Sequence, residues 1–512
     1  MTGSQLKSLL LVAASALSLA ACGSSEVASP GEGDFGNGGN NGGGDNGGGN
    51  GGNNGQAAAD CPTGFDNVGV VADGTLRACQ LPATVVGNLT VPLRAGTIYS
   101  IAGRTQVGVD MGIDPAAPLP AGQRGQLNIE PGVKLFAAGN GDYLIVNRGS
   151  QIFAEGTSTN PIVFTSRQDI EGDATQDSQQ QWGGIVLAGR APQSQCDLTV
   201  TPVVCAGTVE GTNALYGGNT ANDNSGRLRY VQIRYSGYVV GNNNELQALT
   251  LAGVGSGTTI DYVQSYNSSD DGIEIFGGNV NLKHIVINGA DDDGLDTDSG
   301  WRGGAQFGIV TQRDVPGSTS RSAGFEFSAA PAATPLASRY VSQPKIANWT
   351  LVGRNAPAAA HTVAHLDSGT DATIINSVFT NETGSAAGCL DISDVDTVTS
   401  APTFTSVYMS CAISYNPANS SNPARSAGVF TAGAGNTAAG ASTMTAPTGP
   451  TIANQFLAFI NGANENAVTA VDAKTVYSFF ETTTYIGAVR NATDTWWQGW
   501  TCGLQAGSSC QE

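Results

Sequence analysis

"GADDDGLDTDSGWRG" runs from Gly289 to Gly303 and holds five aspartates in fifteen residues, in a chain where charged residues make up only 12%. A weaker copy, "SSDDGIEIFGG", lies upstream at Ser268 to Gly278. "DGIE" at Asp271 and "DGLD" at Asp293 begin twenty-two residues apart. A repeat of that length fits one coil of a solenoid, made of short strands and turns. Alternate strand residues point to opposite faces. Ile273 and Ile275 would therefore stack over Leu295 and Thr297 in the core. Glu274 and Asp296 would face outward, one above the other. Asp270 and Asp271 would lie over Asp292 and Asp293 at a corner.

The surrounding sequence extends this pattern. "YVQIRYSG" begins at Tyr230, "YVQSYNSS" at Tyr262 and "HIVINGAD" at His284. "IANWTLVG" and "ATIINSVFT" form another pair, with Asn348 and Asn376 in matching places. Such period-two runs of β-branched residues, broken by Gly, Asn and Asp, predict strands. Long amphipathic helices are not evident. The fold class expected is all-β, a right-handed parallel β-helix (solenoid) with irregular end caps. Residues 60–120 are expected to cap the N-terminal end, 121–400 to form the β-helix, and 401–512 to form an irregular region and cap. Within the last, Ser426 to Pro450 reads as a loop. Trp496, Trp497 and Trp500 read as cover for the open end of the solenoid.

Adjacent strands lie about 4.8 Å apart, so stacked carboxylates repel unless one takes a proton or a cation joins them. Calcium accepts six to eight oxygens and suits clustered Asp and Glu on Gly-rich turns. The candidate ligands are Asp270, Asp271, Glu274, Asp292, Asp293, Asp296 and Asp298, with Ca2+ as the candidate cofactor. A second account needs no metal: Asp is a good corner residue because its side chain caps local main-chain groups.

The N-terminus carries its own information. "MTGSQLKSLLLVAASALSLAAC" (residues 1–22) has a basic start, an apolar stretch and small residues, as in a secretory signal. Its "LAAC" ending resembles the bacterial lipobox, which implies lipidation at Cys22. Gly23 follows instead of Asp, favouring the outer membrane. Residues 23–59 are Gly/Asn-rich and predict a flexible tether reaching roughly 30–35 Å. The net charge of −20, with 22 basic residues, argues against nucleic acid. Besides Cys22 the chain holds Cys61, Cys79, Cys196, Cys205, Cys389, Cys411, Cys502 and Cys510. Sequential pairing is the simplest arrangement and suits an oxidising compartment, although spacing alone leaves connectivity open.

The stretch from "NELQALTLAGV" through "DDGIEIFGG" to "DDDGLDTDSGWRGGAQFGIV" resembles a group of secreted or lipid-anchored β-helix proteins of Gram-negative bacteria. "PIVFTS", "WGGIVLAGRAP", "FFETTTYIGAV" and "WWQGWTCGL" carry the same resemblance, which spans roughly residues 125 to 505. It implies the fold and a surface location and supplies no established reaction. The right hand of the helix is carried over from parallel β-helix proteins generally.

Two function classes follow. The first is a non-catalytic binding or adhesion scaffold at the cell surface, with polysaccharide as the leading ligand and an outer-membrane transporter as a partner by analogy. The second is a polysaccharide lyase or glycoside hydrolase. A lyase would pair calcium with a base such as Arg302, and a hydrolase would draw two carboxyls from Asp271, Asp293 and Asp296. The sequence lacks the His-Gly and Arg-Ile-Lys segments of polygalacturonases. "HTVAH" (His361 to His365) has zincin spacing without the Glu, and in a strand those positions stand about 13 Å apart. Trp301 is either a sugar platform or core cover.

Overall fold

The computed structural model describes residues 55–197, 205, 207–241, 244–314, 322–329, 341–355, 361–381, 385–393, 401–416, 422–447, 457–505 and 508–511. The leader, Cys22 and the tether as far as residue 54 lie outside the described residues.

The central repeat stacks as its spacing requires. Ile273 pairs with Leu295, Glu274 with Asp296, Ile275 with Thr297 and Phe276 with Asp298, all in parallel register. Seventeen strands join into one wrapped network and eleven into a second sheet. The coil-to-coil pairings are parallel, which is the hydrogen-bonding pattern of a parallel β-helix. Each coil feeds the same core rows. One row runs Ile185, Leu249, Ile273, Leu295, Phe325, Ala364 and Leu390 across seven coils, every member fully buried. Burying each large member is worth roughly 1.5–3 kcal/mol, so the row is a principal source of stability.

The first sheet bends at a ladder of left-handed residues. Tyr230, Tyr262, His284, Phe307, Asn348, Asn376 and Ser406 all have φ between 48° and 62°. Asn tolerates this backbone well; bulky residues do not, and need compensation. Ring stacking supplies it. The Tyr230–Tyr262 centroids lie 4.3 Å apart, Tyr262–His284 4.2 Å and His284–Phe307 5.1 Å, each pair nearly parallel. His284 Nδ1 also lies 2.9 Å from Asp261 Oδ1.

Three expectations require correction. Parallel stacking begins with Leu76–Gln80 on Thr97–Ile101 and ends with Ile413–Tyr415, so residues 60–120 are largely coil rather than cap, and the solenoid passes residue 400. At the start of the coils Asp66–Val71 runs antiparallel, against Leu76–Gln80. The early coils escape the repeat because they share no motif with the centre. The helix Pro423–Ala432 takes up the start of the stretch read as a loop, Ser426 to Pro450, with Asn422 capping Arg425 N at 3.0 Å. Pro near its first turn and a run of small residues favour that start. Phe430 inserts beside Phe404 and Tyr415, so this helix closes the C-terminal end of the core.

The tryptophans do not cover that end. Residues 459–505 meander back along the outside of the coils, over the left-handed ladder. Asn376 bonds both main-chain groups of Val471, and Asn348 donates to the carbonyl of Tyr485. Gln264 bonds both main-chain groups of Cys502. Trp500 packs edge-on against Tyr230 and Tyr262, and Trp496 lies against His284. The four sequential disulfides are present: Cys61–Cys79, Cys196–Cys205, Cys389–Cys411 and Cys502–Cys510.

Candidate cation site on the second sheet

The outward face of the second sheet changes character along the solenoid. One outward row reads Ile145, Val186, Thr250, Glu274, Asp296, Glu326, His365 and Asp391. Its start is apolar because a flap covers it. Val209, Ala214, Tyr216 and Leu246, from two short antiparallel ribbons, pack on Ile145, Val186, Ala188, Ala252 and Phe276. Beyond the flap the row becomes acidic.

The adjoining corner supplies more carboxyls. Asp271 Oδ1 accepts from the main-chain N–H of Asp293 at 2.9 Å, and Asp293 Oδ1 accepts from that of Ala323 one coil later. The glycine after each aspartate is needed for close approach. A Cβ on Gly272 would meet the Gly294 carbonyl oxygen at 2.8 Å, and one on Gly294 would meet that of Gly324 at 2.5 Å. This is the physical reason for the Asp-Gly pair in each copy.

Two groups of converging oxygens result. Asp270, Asp271 and Asp292 form one, and Asp271, Glu274 and Asp296 the other; within each, the ligand atoms lie within 4.8 Å of one another. Asp271 belongs to both. Asp271 and Glu274 are more than nine-tenths buried, and Glu274 Oε2 and Asp292 Oδ1 have no hydrogen-bond partner. Burial and the Asp292 charge raise Asp270 to about 8; burial and then Glu326 raise Asp292 to about 7. Burial first, then neighbouring carboxylates, pushes Asp271, Glu274, Asp293 and Asp296 well above the ordinary carboxylate range. Two ionised neighbours 4.8 Å apart repel by about 3–4 kcal/mol at an effective dielectric constant of about 20. A hard cation coordinated by these oxygens removes that cost, and the orphaned oxygens of Glu274 and Asp292 fit such an ion.

The remaining candidates are placed differently. Asp293 is committed to the Ala323 main chain, and Asp298 receives the hydroxyls of Ser299 and Ser328, so neither joins either group. Asp291 pairs with Arg313. Arg302 donates to the Val341 carbonyl at 2.8 Å, away from the corner. Arg354 also faces the aspartates: it is buried, donates to the Asp291 carbonyl and Ser322, and feels Asp291, Asp292 and Asp293. Trp301 is fully buried, with Nε1 donating to the Val280 carbonyl, so it offers no platform for a sugar. "HTVAH" lies in the strand His361–Leu366, which excludes the helical zincin arrangement.

Sequence reasoning missed Glu326, His365 and Asp391, which continue the row beyond Asp296, and Asp367 beside them. Each of the three ladder residues sits between apolar neighbours, in "FEF", "AHL" and "LDI", just as Glu274 does in "IEI". That local pattern was the available signal.

The long parallel solenoid places the chain among the β-helix proteins. Within that class, the chain belongs to the family described as pectate-lyase like beta helix domain, which matches residues 116–501. No curated protein and no solved structure matches the chain.

Proposed function

We propose that this chain is a lipid-anchored outer-membrane protein, displayed at the cell surface, that binds polysaccharide without cleaving it. A calcium ion held by Asp270, Asp271, Glu274, Asp292 and Asp296 stiffens the binding solenoid. The observation that carries the non-catalytic reading is the burial of the carboxyls. Asp271 and Asp293, two of the three acids a hydrolase would draw on, are more than nine-tenths buried and accept main-chain hydrogen bonds at a coil corner, while Asp296 is half-buried. A sugar ring needs two carboxyls flanking an open cleft. These carboxyls suit an enclosed ion. The repeated coils give a long surface for a repetitive ligand, and the family description supports the polysaccharide class. An outer-membrane transporter is the partner expected for a scaffold of this kind.

The second reading is a polysaccharide lyase or glycoside hydrolase. The pectate-lyase likeness favours it, and Arg354 would replace Arg302 as the arginine facing the cluster. Incubating the calcium-loaded full chain with polygalacturonate and with neutral glucans separates the two. Retention of polymer without unsaturated ends or new reducing ends is the expected result. Product formation that stops in Asp293→Asn would replace the binder with the enzyme.

A further inference from the structure

The acidic row does not stop at Asp296, and its far end has a different donor set. His365 is 1% exposed, yet both of its ring nitrogens face oxygen. Nδ1 lies 3.0 Å from Glu326 Oε1, one coil back in the same row. Nε2 lies 2.9 Å from Ser393 Oγ and 3.9 Å from both Asp367 Oδ2 and Asp391 Oδ2. Glu326, His365 and Asp367 each place a ligand atom within 4.8 Å of the others.

From this geometry we infer a second metal site, for a borderline divalent ion of the zinc type, with His365 Nε2, Asp367 and Asp391 as ligands and Glu326 as the group that orients the imidazole.

Each part of the arrangement has a reason. A histidine that binds metal through one nitrogen usually gives the other N–H to a carboxylate, which fixes the tautomer and makes the ligating nitrogen more basic. Glu326 stands at Nδ1 in that role, and Nε2 faces the Ser393 hydroxyl, Asp367 and Asp391, so a bound ion would take the place of the Ser393 contact. The 3.9 Å separations are too long for hydrogen bonds. Measured from Nε2, each lies at the upper end of the roughly 3–4 Å expected between two ligands that sit about 2.0–2.2 Å from one zinc ion. A neutral imidazole with two carboxylates balances a divalent charge. Imidazole also sets the ion class: calcium takes oxygen ligands, whereas nitrogen with carboxylate suits zinc and its neighbours. The strand pairing brings the parts together. His365 and Asp391 are register partners, and Asp367 and Ser393 each follow the next paired position, Leu366 with Ile392.

The ion and its ligands differ from those of the calcium reading, although Glu326 also borders Asp292 and Asp296. The test is made on the purified full chain, stripped with chelator and dialysed against Zn2+ with Ca2+ in excess. Elemental analysis should find about one zinc per chain. His365→Gln and Asp367→Asn should each abolish it while keeping the wild-type circular dichroism. Glu326→Gln should weaken it about 10–100-fold, as loss of an outer-shell carboxylate does. Asp271→Asn should leave zinc in place. X-ray absorption of the zinc-loaded wild-type chain, which needs no variant, should show one imidazole among oxygen ligands. The inference is overturned by no zinc uptake, by an all-oxygen shell, by zinc kept in folded His365→Gln, or by zinc lost in Asp271→Asn.

Discussion

The carboxylate of Asp271 accepts the main-chain N–H of Asp293 on the next coil at 2.9 Å, and the same carboxylate belongs to both groups of converging oxygens. One side chain thus has two separable tasks. Asn can do the first, because its amide oxygen accepts the same bond. Only Asp serves the second well, because the ion needs charge. In chelator, Asp271→Asn should be at least as stable as wild type, since a buried charge conflict is gone. Asp271→Ala should be about 1–3 kcal/mol less stable than Asp271→Asn, because it orphans a buried N–H. Urea unfolding of the three proteins measures both differences. Calorimetry should show calcium binding in wild type alone.

Chelated protein should lose stability as pH rises. Asp270 is raised from an ordinary value of 3.8 to about 8, and Asp292 from 3.8 to about 7. A folded-state pKa above the unfolded one means that the folded chain keeps protons the unfolded chain has released. Stability from these groups is complete below about pH 4 and is lost as pH climbs through the folded values. Thermal unfolding in chelator should therefore show Tm falling between about pH 4 and about pH 8. Calcium, which takes the ionised form, should flatten that fall. A pH-independent Tm in chelator would remove the repulsion argument.

The returning C-terminal segment should contribute heavily to stability. Trp500 is fully buried against Tyr230 and Tyr262. Trp500→Ala should cost about 3–5 kcal/mol. Gln264→Ala leaves both main-chain groups of Cys502 without their partner and should cost about 1–3 kcal/mol. Guanidinium unfolding with tryptophan fluorescence reads both.

Asn376 holds φ at 48° and bonds the Val471 carbonyl at 2.8 Å and its N–H at 2.9 Å. Asn376→Ala loses both bonds and strains the backbone, so hydrogen exchange at Val471 should accelerate with a loss of about 2 kcal/mol. Asn376→Gly relieves the backbone but not the bonds and should fall between wild type and Ala.

The centre of the fold was legible because two coils carry the same length and the same residues. Twenty-two residues separate Ile273 from Leu295, and the pairing follows that number. Farther along, spacing fails: thirty residues separate Asp296 from Glu326, thirty-nine Glu326 from His365, and twenty-six His365 from Asp391. Turns of a β-helix accept insertions without disturbing the stacked strands, so constant period is lost while register is kept. His365 therefore looked like half of a local "HTVAH" motif, when its real partners lie on neighbouring coils. Arg302 looked close to the aspartates along the chain, but it follows the turn after Asp298 and points to Val341. Trp500 was recognisable as a covering residue; which surface it covers depended on a long-range return that no local pattern encodes.

That return changes how the molecule comes apart. Ordinary solenoids are chains of nearest-neighbour contacts and can fray one repeat at a time. Here residues 459–505 tie Ser406, Asn376, Asn348, Gln306, Gln264 and Gln232 to one another through a single stretch of backbone. Pulling any middle coil open must also unlace that stretch from its neighbours. The protein should thus resist gradual peeling, and a force applied at one end would meet a single large barrier instead of a staircase of small ones.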